Sequence, residues 1–156
     1  MAKPMVDVTV TGADQLAKLG AALKQAPEDL RKELGAGLRR AVRPMPAIFK
    51  AGALGFLPFR GGLAETVAEG MRFRTKISTS GNNVGMRIVA SLPGHDLAAM
   101  NRGRLRKPVF GNRRIWVTQQ IREEWWTDSG LVAVPAVRAE AVNAIEAVAR
   151  KLVERA

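Results

Sequence analysis

The chain has no cysteine and one histidine in 156 residues. Without thiols there is no disulfide framework and no thiolate metal site, and the lack of cysteine suits a reducing compartment. One histidine and no cysteine leave too few soft ligands for a zinc centre. No apolar run approaches the roughly 18 residues of a membrane span. The opening, Met-Ala-Lys-Pro-Met-Val-Asp-Val, holds no apolar core of signal-peptide length. The expectation is therefore a soluble protein made in the cytoplasm, without metal, cofactor or membrane partner. Internal repeats, low-complexity tracts and long linkers are also missing, so residues 1–156 read as a single domain, with enough chain to bury a core unaided.

What the chain has in excess is positive charge, 25 bases against 14 acids for a net +11. Residues 1–60 carry 10 bases and 5 acids, residues 61–126 carry 11 and 5, and residues 127–156 carry 4 and 4. The surplus lies in the first 126 residues. It favours nucleic acid, an anionic surface or an acidic protein as partner without choosing among them.

The densest basic stretch is Arg102, Arg104, Arg106, Lys107, Arg113 and Arg114, with no acid among residues 102–114 and with Gly103, Pro108 and Gly111 between the bases. It reads as a charged loop. The β-branched and aromatic Ile115, Trp116 and Val117 then predict a strand over 115–121 with Trp116 in the core. Trp125 and Trp126 follow. Two successive residues of an extended chain point to opposite sides, which predicts that one of these rings reaches a partner.

Alternation of Val6, Val8 and Val10 with polar residues predicts an opening strand, and Leu16, Leu19 and Leu23 a helix over 13–24. Leu30, Leu34, Leu38 and Val42 form the stripe of a second helix. Pro27, Glu28 and Asp29 stand at its start, Arg39, Arg40 and Arg43 at its end, and Pro44 and Pro46 stop it. A short helix is expected over 47–54, a loop over 57–63 and a helical turn near 64–69. Met71, Phe73, Thr75 and Ile77 alternate with Arg72, Arg74 and Lys76. Val84, Met86, Ile88 and Ala90 alternate around Arg87. The residues between, Ser80 to Asn83, suit a tight turn, so this is a β-hairpin with one basic face. A turn of helix is expected over 97–100 and a closing helix over 131–154, kinked near Pro135, with the stripe Val137, Ala141, Ile145, Val148 and Leu152. The sum is an α+β fold, an antiparallel sheet of about four strands with helices packed on one face.

Enzyme chemistry finds no constellation, and no catalytic residue is assigned. His95 and Asp96 are neighbours on a loop, and no serine stands in a nucleophile motif. Arg60-Gly61-Gly62 lacks the lysine and hydroxyl residue of a phosphate loop. A basic ribonuclease of the toxin type, working with Arg, Lys and Glu alone, ranks third. Nucleic-acid binding has more support, since the loop and the hairpin bases could follow a phosphate backbone.

Three motifs in order carry a resemblance. They are Leu57-Pro58-x-Arg60-Gly61-Gly62-Leu63-Ala64, the block from Asn101 through Pro108-Val109-Phe110-Gly111-Asn112 to Arg113, and Trp116-Val117-x-Gln119 with an aromatic pair at 125 and 126. Together they resemble the head-to-tail connector family of long-tailed phages, the neck, tail-completion or minor tail proteins. The chain departs from that pattern at Lys107, where histidine would be expected, and at Glu123-Glu124-Trp125-Trp126, where Pro-Gly-Trp-Phe would be expected.

The resemblance implies a tail-terminator-like fold and a virion location. It also implies a homo-oligomeric ring, a hexamer by analogy, between the head connector and the tail terminator or tail tube. It makes Arg102, Arg104, Arg106, Lys107, Phe110, Arg113, Arg114, Trp125 and Trp126 protein-interface residues. Arg72, Arg74, Lys76 and Arg87 could face the bore and touch transiting DNA non-specifically. The runner-up is a free basic nucleic-acid-binding domain.

Overall fold

The computed structural model describes residues 24–79 and 85–155. The opening strand, nearly all of the first helix and the turn of the hairpin lie outside these residues. The elements are α1 (Glu28–Val42), α2 (Met45–Phe56), α3 (Leu63–Gly70), β1 (Arg72–Ser78), β2 (Gly85–Ser91), α4 (Leu97–Asn101), β3 (Arg104–Val109), β4 (Asn112–Gln120) and α5 (Trp125–Glu154). The fold is mixed helix and strand. The described strands make two separate two-stranded antiparallel sheets, β1 with β2 and β3 with β4.

Local chemistry accounts for most boundaries. Pro27 precedes α1, and its carbonyl accepts from the amides of Leu30 and Arg31. Glu28 and Asp29 meet the positive end of the helix, and Arg39 and Arg40 the negative end. Leu30, Leu34, Leu38 and Val42 are all buried, as their spacing requires. Pro46 falls in the first turn of α2, where its missing N–H costs nothing. In the β1–β2 hairpin, Met86, Ile88 and Ala90 are buried, whereas Arg72, Arg74, Lys76 and Arg87 are exposed.

The chain divides into two compact units. One comprises the described parts of Asp7–Met45, Arg74–Ile88 and Ala133–Ala156. In it α1 and the later part of α5 approach closely, because a Cβ on Gly37 would lie 2.5 Å from the Ala144 methyl. Lys151 Nζ donates to both carboxylate oxygens of Glu33, at 2.6 and 2.8 Å. Arg155 Nη1 donates to Asp29 Oδ2 at 2.9 Å.

The Arg155 hydrogen bond holds the Asp29 carboxyl below its ordinary 3.8. A carboxylate depressed in the folded state adds stability above its unfolded pKa and loses it as pH falls through the folded value. Arg155→Ala should therefore raise the Asp29 midpoint toward 3.8, followed by NMR titration of the side-chain carbonyl, with stability near neutral pH almost unchanged because the pair is exposed.

The other unit contains Pro46–Phe73 and Val89–Val132. Its centre is aromatic. Phe49 stacks on Trp126 with ring centroids 3.6 Å apart and planes 6° from parallel. Phe73 lies 6.2 Å from each of them, and Trp125 meets Trp126 edge-on at 6.0 Å. Helix α2 can come this near the start of α5 because residue 52 is glycine. A Cβ there would fall 1.8 Å from Ser129 Oγ. That hydroxyl is turned back to donate to the Trp125 carbonyl.

Three expectations are corrected here. Residues 104–120 are a second hairpin, not a loop followed by a buried strand. Strand β4 is exposed along its whole length, Trp116 included, in a sheet of two strands only among the described residues. And α5 begins at Trp125, six residues before Leu131, so Trp125 and Trp126 are not extended and both rings are fully buried.

Candidate functional site

Strands β3 and β4 pair antiparallel, Arg104 opposite Gln120, Arg106 opposite Thr118, Lys107 opposite Val117 and Pro108 opposite Trp116. The turn is tight, with Val109 opposite Asn112 and only Phe110 and Gly111 between them. Both central residues have positive φ, 45° and 79°. This is the signature of the primed turns whose twist matches a hairpin, and it explains the glycine at 111. Between the Pro108–Trp116 and Val109–Asn112 pairs the ladder shifts, and Arg113, Arg114 and Ile115 bulge from β4. Two contacts fix the bulge. Trp116 Nε1 donates to the Arg113 carbonyl at 2.7 Å, and the Arg114 amide donates to Asn112 Oδ1 at 3.0 Å.

The ribbon brings Arg102, Arg104, Arg106, Lys107, Arg113 and Arg114 together on one exposed structure. Among the described residues none of the six pairs with a carboxylate. Bases elsewhere do: Lys32 with Glu28, Arg122 with Asp128, Lys151 with Glu33 and Arg155 with Asp29. Arg106 alone is held, its guanidinium 5.2 Å from the centroid of the Trp116 ring. At the tip Phe110 is 103% exposed, and Ile115, Trp116 and Val117 add exposed apolar surface behind it. A two-stranded hairpin of this kind is marginal without a covering layer.

Trp125 and Trp126 do not join this surface. The exposed aromatic rings of the ribbon are Phe110, as expected, and Trp116, which was expected in the core. What holds the start of α5 at Trp125 and Trp126 is Asn101. Its Oδ1 accepts from the Trp126 amide at 2.9 Å, its Nδ2 donates to Thr127 Oγ1 at 3.1 Å, and its carbonyl accepts from the Glu124 amide at 2.7 Å. A residue 25 positions away thus caps α5 and starts the helix before its own apolar stripe begins. Arg122 secures the same corner, stacked 4.1 Å from the Phe56 ring centroid and bonded to Asp128.

The corner has an unusual backbone. Glu124 has φ of 56°, a conformation that favours glycine. Glu124→Gly should be tolerated, whereas Glu124→Val, β-branched and strained at that φ, should cost about 1–2 kcal/mol, read from denaturant midpoints.

The ribbon also lines a cleft of about 360 Å³ with the segment that leads into α4. His95 and Asp96, which sequence reasoning set aside as loop residues, both lie on its wall. Asp96 is not a partner for His95; its Oδ1 accepts from the Ala99 amide at 3.0 Å and caps α4. No group of three or more His, Cys, Asp or Glu side chains among the described residues could hold a metal ion, and no described helix is long and apolar enough to cross a membrane.

The chain matches no protein-family model, no curated protein and no solved structure.

Proposed function

We propose that this chain is a non-enzymatic virion subunit of a long-tailed phage, a neck or tail-completion protein that forms a ring and joins the head connector to the tail tube. The observation that carries the reading is the ribbon: six bases without an ion pair among the described residues, on an arm tipped by a fully exposed phenylalanine. Charge left uncompensated beside exposed aromatic surface is the pattern of a protein interface whose partner supplies the acids. A ring needs this asymmetry, because head-to-tail contacts pair two different surfaces of each subunit.

The resemblance adds the particulars: a hexameric ring, the adjoining neck proteins and tail terminator as partners, and a tail-terminator-like fold in which about four strands form one sheet with helices on one face. The backbone at residue 124 agrees with that pattern. The family has glycine where this chain has Glu124, and Glu124 adopts a glycine-type conformation.

The runner-up, a free nucleic-acid-binding domain, draws on the exposed Arg72, Arg74, Lys76 and Arg87 of the β1–β2 hairpin. In a ring these side chains would be candidates for the bore and for non-specific contact with passing DNA. A duplex-DNA titration over salt separates the two. A DNA-binding domain gives an affinity that falls with log salt by about 0.9 per phosphate neutralised. The connector reading predicts an assembled mass that DNA does not change, and a monomer with steeply salt-dependent DNA affinity would overturn it.

A further inference from the structure

We infer that the outer edge of β4 pairs antiparallel with the same edge of a second copy of this chain, about a two-fold axis at Thr118. The phase of the ribbon ladder shows which backbone groups are on offer. The Ile121 amide donates to the Gly103 carbonyl at 2.9 Å, and these two residues stand opposite each other by continuation of the Arg104–Gln120 register. Bonded positions alternate along an antiparallel pair, so Gln119 and Val117 also bond across to β3, whereas Gln120, Thr118 and Trp116 turn their N–H and C=O groups to the other side. Pro108 agrees with this phase, because it lies opposite Trp116, where the ladder asks for no N–H. None of the three outward residues has a strand partner on that side among the described residues.

The two edges of the ribbon differ. On β3 the outward positions are Arg104, Arg106 and Pro108, two bases and a residue without a donor, which is how proteins guard an edge against a further strand. On β4 the outward positions carry no base, and residues 115–121 hold no charge at all. A phosphate backbone therefore finds nothing to neutralise it along this edge. A second copy, repelled by basic surface elsewhere on a chain of net charge +11, meets no such barrier here.

The edge is also complementary to its own reverse. The bulge at residues 113–115 limits its regular part to 116–120. With the axis at Thr118, all three outward residues pair, Trp116 with the second copy's Gln120, Thr118 with its equivalent and Gln120 with the second copy's Trp116. Each such pair exchanges two backbone hydrogen bonds. Between them Val117 lies opposite Gln119, so no like charges meet within the ladder. Just beyond its end, Arg122 is already engaged by Asp128 and Phe56. An unrelated strand would need no such symmetry, and this match points to a copy of the same chain, joined by the two-fold contact commonest among oligomers. The inference does not depend on what the bases of the ribbon bind.

The lack of cysteine makes a single thiol an unambiguous reporter. In a hydrogen-bonded antiparallel pair the Cα atoms are about 5.5 Å apart, within the span of about 4.4–6.8 Å that a disulfide bridges. Thr118→Cys in the full chain, oxidised in air, should give a disulfide-linked dimer at least tenfold faster than Thr75→Cys, also exposed but on β1. Sedimentation of the native chain should show a reversible dimer. Thr118→Pro should weaken it at least tenfold and spare the ribbon, whose own ladder takes no bond from Thr118. A monomer at every concentration, equal linking at 118 and 75, or an undiminished dimer in Thr118→Pro would overturn the proposal. Rings whose Thr118→Cys form stays unlinked remove this pairing and leave the connector reading standing. Linked dimers that build no ring with any neck partner remove the connector reading and leave the pairing.

Discussion

Arg104→Glu combined with Arg106→Glu should abolish ring or neck assembly while leaving the fold and the thermal midpoint of the chain unchanged. Both side chains are exposed, and neither takes part in an ion pair among the described residues, so reversal costs the monomer little beyond the stacking of Arg106 on Trp116. At an interface the same change places like charges opposite one another, which costs several kcal/mol. A loss of about 3 kcal/mol is roughly a hundredfold in association constant. The measurement is sedimentation of the purified variant, paired with counting of joined particles when it replaces the native chain. Arg43→Glu with Arg138→Glu makes the same change in net charge at exposed residues of the other unit and should assemble normally, which separates a local contact from a general field. Normal particles from the ribbon variant would remove the docking assignment.

Trp126→Ala should produce the largest loss of stability, about 3–5 kcal/mol, as for other buried tryptophans truncated to alanine. The ring is fully buried, stacked on Phe49 at 3.6 Å, flanked by Phe73 and met edge-on by Trp125. Its removal opens a cavity bounded by other aromatic rings, and α2 cannot readily advance into it because Gly52 already rests on Ser129. Against a typical total of about 5–15 kcal/mol this is a large fraction of the whole. Denaturant unfolding followed by circular dichroism reads it. Trp116→Ala, on the exposed ribbon, should cost less than about 1 kcal/mol. The contrast between the two variants tests the assignment of Trp126 to the core and Trp116 to the surface, and equal losses would contradict it.

Where one face of an element is apolar and its period is clean, the sequence was a sufficient guide. Leu30, Leu34, Leu38 and Val42 marked α1, and the alternation through Met86, Ile88 and Ala90 marked the buried side of β2. Pro44 and Pro46 placed the break between α1 and α2. The ribbon was hidden for the opposite reason. Its strands bury only Leu105, so charge masks the alternation, and Phe110-Gly111 is a weaker turn signal than Asn-Gly. The early start of α5 was hidden because its cap, Asn101, comes from outside the helix, and Trp-Trp-Thr-Asp-Ser-Gly is a poor helix former by itself. The basic residues of the site were legible as a group. Of the aromatic residues expected at the surface, Phe110 is exposed, whereas Trp125 and Trp126 are buried because the backbone there is helical, which residue type alone does not show. The cleft arises where α4 meets β3 and β4, a convergence that no local pattern encodes.

The proposed ring is tested by the mass and shape of the purified protein, by light scattering and negative-stain imaging, with and without candidate neck partners and duplex DNA. A neck subunit should give closed rings, alone or on addition of a partner, whose mass DNA does not alter. A persistent monomer that binds duplex and ignores every partner would contradict it.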